Sequence, residues 1–160
     1  MKRMLVIASV VAAVLAVGGA RAYFTAQTEV KDNVIKAGSV SMSVEPTSAA
    51  LSIDPVAPGE TVFRSVDVNN TGALTIDVTT TAAKKAGFTD LWTALNCRVT
   101  HDGVELYSGP ISAMRTTPVR IAPDQKATIR YAVSLPAESG NDLMGDYVRA
   151  SLYIDAEQAR

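Results

Sequence analysis

Apolar and polar residues alternate along much of this chain, and the alternation predicts β-strands. From Ala127 to Leu135 every second residue is apolar, and the same period returns at Val40–Val44, Leu74–Val78 and Val148–Ile154. Successive side chains of a strand point to opposite faces, so a period of two indicates a strand with one buried face. Turn sequences such as Asp102-Gly103 separate the runs. We therefore predict an all-β fold, an antiparallel two-sheet sandwich of the jelly-roll or immunoglobulin-like type.

One segment has helical spacing instead. Its large apolar residues stand at i, i+3, i+4 and i+7, and they are Phe88, Leu91, Trp92 and Leu95. Thr89 or Asp90 could serve as the N-cap. The spacing predicts one short helix across an open end of the sandwich, with Trp92 filling the core.

The first residues have the pattern of an export signal. Met1-Lys2-Arg3 is positively charged, Met4–Val17 is continuously apolar, and Gly18–Ala22 is rich in small residues. A helix over Met4–Val17 would span about 21 Å, less than the roughly 30 Å hydrocarbon core of a bilayer. We therefore predict a signal helix over 1–22 that is cleaved after Ala22, although a retained membrane anchor is the open alternative.

Cleavage there would place Ala20 and Ala22 at the two small positions of the recognition pattern and make Tyr23 the first mature residue. We divide the chain into a signal peptide, 1–22, an N-terminal strand segment, 23–37, and one β-sandwich domain, 38–160. The last is long enough for a hydrophobic core of its own.

Charge and rare residues restrict the function. The chain has 15 Lys and Arg against 16 Asp and Glu, and removal of 1–22 would make it more acidic. An acidic chain with scattered charges argues against nucleic acid as a partner. His101 and Cys97 are the only residues of their kinds, so an HExxH zinc helix, which needs two histidines, cannot form. Cys97 and His101 are four residues apart, so on one strand they would lie about 13 Å from each other. We predict no catalytic residue, no metal site and no cofactor.

The segment that follows the predicted cleavage point also alternates. Phe24, Ala26, Thr28 and Val30 would share one face of a strand that begins at Tyr23. This segment contains no Pro or Gly, so its backbone can form hydrogen bonds along its whole length. Its partner could be an edge of its own sandwich or an edge of a neighbouring molecule.

Several motifs resemble the TasA/camelysin family. They are Ala22-Tyr23-Phe24-Thr25 after the signal, Asp32–Val40, Asp54–Glu60 followed by Val66–Ile76, Gly140–Asp146, and the closing Ala156-Glu157-Gln158. Together they extend over nearly the whole chain. The chain departs from the family pattern at Ala26, where an acidic residue is usual, and at Val40 and Met42, where leucines are usual.

The resemblance implies a jelly-roll-like domain that is exported to the cell surface or biofilm matrix, with a signal processed by a SipW-type signal peptidase. It also implies a structural, non-enzymatic subunit that is held at the membrane before cleavage. Such subunits form head-to-tail fibres by donating the N-terminal strand, here Tyr23, Phe24, Ala26, Thr28 and Val30, with a minor anchor subunit as a further partner.

Two other functions stay open. The chain could be a monomeric or membrane-tethered surface sandwich that binds a protein or a glycan. It could also be a peptidase of the camelysin branch, but it lacks the histidines that such a metal site would be expected to use.

Overall fold

A computed structural model describes residues 25–29, 36–37, 40–46, 51–53 and 56–160, which form two antiparallel sheets. The predicted all-β sandwich with one short helix is confirmed. The predicted signal helix, 1–22, lies outside the described residues. In the part of the chain that is described, no helix has the length and apolar character needed to cross a membrane.

Within the described residues, eleven strands make up the two sheets. In chain order they are β1 (Thr25–Glu29), β2 (Lys36–Ala37), β3 (Val40–Glu45), β4 (Leu51–Ile53), β5 (Thr61–Asn70), β6 (Ile76–Gly87), β7 (Asn96–His101), β8 (Val104–Pro110), β9 (Val119–Ile121), β10 (Lys126–Ser134) and β11 (Val148–Gln158). The first sheet has the order β1-β11-β6-β9, with β4 also paired to β11. The second sheet has the order β2-β3-β5-β10-β7-β8.

The core lies between the two sheets and follows the alternation in the sequence. In β10 the residues Ala127, Ile129, Tyr131 and Val133 are buried, and those between them are more exposed. Tyr131 is 1% exposed, and its hydroxyl donates a hydrogen bond to Thr80 Oγ1 in the opposite sheet at 3.1 Å. The inward faces therefore join through a buried polar contact here as well as through apolar packing.

The helix α1 (Thr89–Ala94) confirms the helical spacing, with Leu91, Trp92 and Leu95 buried. The predicted N-cap was wrong. The N-cap residue is Phe88, with no side-chain cap, and the Thr89 hydroxyl accepts a hydrogen bond from Lys84 Nζ at 2.7 Å. Phe88 itself is half exposed, which follows from its position before the helix rather than on its buried stripe.

Of two further predicted elements, a turn matches the sequence prediction and a strand extends beyond it. The predicted Asp102-Gly103 turn is confirmed, since it joins β7 and β8 with positive φ angles of 47° and 80°. The alternation from Leu74 to Val78 marked only the beginning of β6, which starts at Ile76 and continues to Gly87. This strand is long because β11 pairs with it along its whole length.

Candidate functional site

Strand β1, which is part of the N-terminal strand segment, lies at an edge of its own sandwich. Strand β1 pairs antiparallel with β11, with Ala26 opposite Ala156 and Thr28 opposite Ile154. These two are the only residues of the predicted exchange set that the structure describes. Tyr23, Phe24 and Val30 lie outside the described residues, as do the predicted cleavage residues Ala20 and Ala22. Of the two partners that the sequence left open, the isolated chain uses its own edge.

The edge of β11 that receives β1 is shared with a second strand. Strand β1 pairs with Tyr153–Glu157, and β4 pairs with Val148–Ala150 further along the same edge. The two strands thus lie one after the other, and β4 bounds the position of β1 at one end. On its other side β1 has no partner strand among the described elements. It is therefore held in the sheet by a single ladder.

The β11 residues opposite β1 belong to the core as well as to the edge. Ile154 and Ala156 are 0% and 1% exposed, and the alternate residues Tyr153 and Asp155 are partly exposed. Lys85 Nζ lies 5.0 Å from the centroid of the Tyr153 ring on the outer face, within cation–π range. If β1 left this position, β11 would present unpaired backbone groups next to buried apolar side chains. A sheet edge of that kind is a template for another strand.

Few residues separate β1 from β2 in the sequence. Strand β1 ends at Glu29 and β2 begins at Lys36. β1 also contacts β2 and β3 of the second sheet. The seven residue steps from Glu29 to Lys36 could extend to about 25 Å if the chain were straightened.

The candidate chemical groups are not arranged as a reactive pair. Cys97 is buried, and burial raises the pKa of its thiol to about 12, so the thiolate is scarce at neutral pH. The imidazole of His101 places Nδ1 3.0 Å from the Thr128 carbonyl oxygen and Nε2 3.4 Å from Asp102 Oδ2. Among the described residues, no three His, Cys, Asp or Glu side chains are grouped so that they could hold a metal ion.

A family sequence model described as camelysin metallo-endopeptidase matches residues 2–90, more than half of the chain. The chain belongs to the camelysin family. This confirms the resemblance to the TasA/camelysin family. The match includes the predicted signal, 1–22, from its second residue and the whole N-terminal strand segment, 23–37, with β1 in it.

Comparisons beyond the camelysin family are distant. No curated protein matches the chain. A crystal structure of FLHE is similar over 87% of this chain and 97% of its own, with 11% identity and a TM-score of 0.41. The VP2 subviral particle of infectious bursal disease virus is similar over 86% of this chain and 33% of its own, with 10% identity and a TM-score of 0.36.

Proposed function

We propose that this camelysin-family protein is an exported structural subunit of surface or matrix fibres, and that it polymerises by exchanging β1 between molecules. A SipW-type signal peptidase would release the N-terminus, which until then would hold the protein at the membrane. The observation that carries the proposal is the position of β1 as a singly paired edge strand on β11. The acceptor in the next subunit would be the same edge, Tyr153–Glu157, once its own β1 has left.

The strength of the β1 ladder suits such an exchange. Five residue pairs join β1 to β11. They allow about five backbone hydrogen bonds, each with a net contribution of about 1 kcal/mol, so the ladder contributes roughly 5 kcal/mol. This is enough to specify one register. It is also small enough that β1 can detach without unfolding the sandwich, whose other strands keep their own partners.

Exchange in this geometry produces an open chain of subunits. Each molecule would donate β1 to one neighbour and accept β1 from another, so its two contacts are different surfaces. Nothing in a head-to-tail contact requires the series to close into a ring. A β1 that swaps with the same register would reproduce every backbone bond made within the monomer. The exchanged strand itself therefore needs no acceptor edge beyond the one already formed by β11.

The register provides a direct test by disulfide formation between two different molecules. Ala26 and Ala156 are opposite each other, and directly opposite residues have Cβ atoms about 4.5–5.5 Å apart. Two variants, A26C and A156C, would each also carry Cys97→Ala. We expect a covalent dimer after the two are mixed and oxidised, and filaments of the wild-type protein in electron micrographs.

The matched control pairs A26C with A132C, because Ala132 lies in β10 of the other sheet. That pair should give no dimer. The exchange mechanism is wrong if A26C links equally well to either position, or if filaments still form after residues 23–30 have been deleted.

The description of the family favours a second candidate function, that of a metallo-endopeptidase. It ranks second because the chain has a single histidine, which is 23% exposed and bonded through Nδ1 to a backbone carbonyl. The test is casein hydrolysis by the purified protein with and without a chelator. Hydrolysis that the chelator and His101→Ala both abolish would establish the peptidase and displace the structural proposal.

A further inference from the structure

The outer face of the second sheet carries an exposed aromatic side chain. Phe63 in β5 is 71% exposed and lies opposite Ala132 in β10, which in turn lies opposite Arg98 in β7. The small Ala132 between two large side chains leaves a depression of about 330 Å³ that also borders Arg130. A phenyl ring that stands beside an open depression offers one flat apolar surface to a ligand.

Arg130 on the same face has no acidic partner among the described residues. Two neighbouring cations of this face are each held by a carboxylate: Lys126 Nζ lies 3.0 Å from Asp67, and Arg98 Nε lies 2.7 Å from Glu105. No carboxylate among the described residues forms an ion pair with Arg130. Its guanidinium is therefore available to bind an anion, and it can do so in the bidentate geometry that suits a carboxylate.

A second depression continues from Arg130 along the sheet. It has a volume of about 370 Å³ and is lined by Thr100, Thr128, Arg130 and the β7–β8 turn with Asp102. Thr100 and Arg130 border both depressions, so the two form one groove. From Ala132 to Thr128 the groove extends about 13 Å along β10. We call it the Phe63–Asp102 groove.

The groups of this groove differ along its length in a way that fits a sugar acid. A pyranose ring has an apolar face that can lie on Phe63, and a uronic acid adds one carboxylate that Arg130 can bind. The Thr100 hydroxyl can donate to or accept from sugar hydroxyls, whereas the Asp102 carboxylate and Thr128 Oγ1, whose own proton is donated to Asp67 Oδ1, can accept from them. Within the combined volume, this is the usual composition of a ligand site, an apolar surface with a few placed polar groups.

We propose that the Phe63–Asp102 groove binds an acidic oligosaccharide that contains uronic acid. An acidic peptide is the less favourable occupant, because it offers few hydroxyl groups to the threonines and no pyranose face to Phe63. The groove lies on the sheet opposite the β11 edge. Its occupancy therefore does not depend on the exchange of β1, and either proposal can fail without the other.

The test is isothermal titration of the purified full chain with tetragalacturonate, with its methyl ester, and with tetraglutamate. We expect binding of tetragalacturonate and a loss of about tenfold or more in affinity for the methyl ester, since a hydrogen bond to a charged group is then lost. Arg130→Gln should weaken binding by a similar factor. Phe63→Ala should weaken it, and Phe63→Trp should retain it.

Arg149→Gln is the matched control, because Arg149 is an exposed arginine in β11 of the other sheet. It should bind tetragalacturonate as the wild type does. Several results would overturn the proposal: no binding of tetragalacturonate, equal affinity for the methyl ester, an effect of Arg149→Gln equal to that of Arg130→Gln, or tighter binding of tetraglutamate.

Discussion

Replacing Asn70 by Ala is expected to lower the free energy of unfolding by about 3 kcal/mol, because three hydrogen bonds end on this one amide, two within the β5–β6 loop and one to the other sheet. Nδ2 donates to the carbonyl oxygens of Leu74 and Ile121 at 2.8 and 3.0 Å, and Oδ1 accepts from the Gly72 amide at 3.0 Å. Asn70 is 1% exposed. At about 1 kcal/mol for each net hydrogen bond, three bonds give the stated loss.

The position of Asn70 explains why this loss should be large. It ends β5 in the second sheet, whereas Ile121 lies in β9 of the first sheet, so the amide joins the two sheets directly. Asn70→Asp tests the hydrogen bonds while leaving the volume of the side chain nearly unchanged. Aspartate is nearly isosteric with asparagine, but at neutral pH its carboxylate would face the two carbonyl oxygens to which Nδ2 now donates. We expect it to be at least as destabilising as Asn70→Ala.

The assay is urea unfolding at pH 7, followed by circular dichroism or tryptophan fluorescence, with the slope m compared between variants. The control is Asn69→Ala, since Asn69 makes one 3.3 Å bond to Ser43 from a partly exposed position. It should cost less than about 1 kcal/mol. The reasoning is refuted if Asn70→Ala and Asn70→Asp lose no more stability than Asn69→Ala does.

Two further predictions use the same assay. Gly87→Ala should destabilise the fold by more than about 2 kcal/mol, because φ is +96° and an added Cβ would lie 2.1 Å from the Tyr147 carbonyl oxygen. Gly103→Ala, at φ +80° in open space, should cost only about 1 kcal/mol. Equal losses of stability for the two variants would contradict the clash. The hydrogen bond from Thr128 lowers the pKa of Asp67, so its carboxylate stabilises the fold above about pH 4 and this contribution is lost as the pH falls. Asp67→Asn should therefore be less stable than wild type at pH 7, and a deficit that is as large at pH 3 would contradict the linkage.

The sandwich was predictable because its strands are half buried. In β10 the alternation of apolar and polar residues matches the burial of every second side chain. The Asp102-Gly103 turn was predictable for a local reason, since both residues tolerate the positive φ that a two-residue hairpin requires. Both signals depend only on neighbours in sequence, and this is why they could be read without the structure.

The second half of β6 could not be predicted in the same way. Its residues from Ala82 to Ala86 are Ala-Ala-Lys-Lys-Ala, which by intrinsic preference favour a helix. They are extended because β11 provides a partner along the whole length, through a bulge between Arg149 and Ala150. Pairing with β11 has outweighed the local helical preference here, and no periodicity in the sequence indicates that pairing.

The candidate site was likewise predictable only where the signal is local in the sequence. The absence of Pro and Gly from 23 to 30 predicted a strand able to pair, but the identity of its partner depends on which strand lies at the sheet edge. That partner, β11, is more than 120 positions away in sequence. The Phe63–Asp102 groove was missed entirely, because Phe63, Arg130 and Asp102 come from separate strands and turns and become neighbours only through the register of the second sheet.

The pairing of β1 within its own molecule limits what can drive a fibre. An exchanged β1 restores the hydrogen bonds that the monomer already has, so the ladder itself provides no net free energy for polymerisation. A strand tethered to its own acceptor has an effective concentration of about 1 mM, whereas a neighbour at 1 μM is a thousandfold more dilute. Three factors of ten correspond to about 4 kcal/mol, which new contacts between subunits must contribute. If filaments form, truncations outside β1 and β11 that raise the critical concentration will locate those contacts.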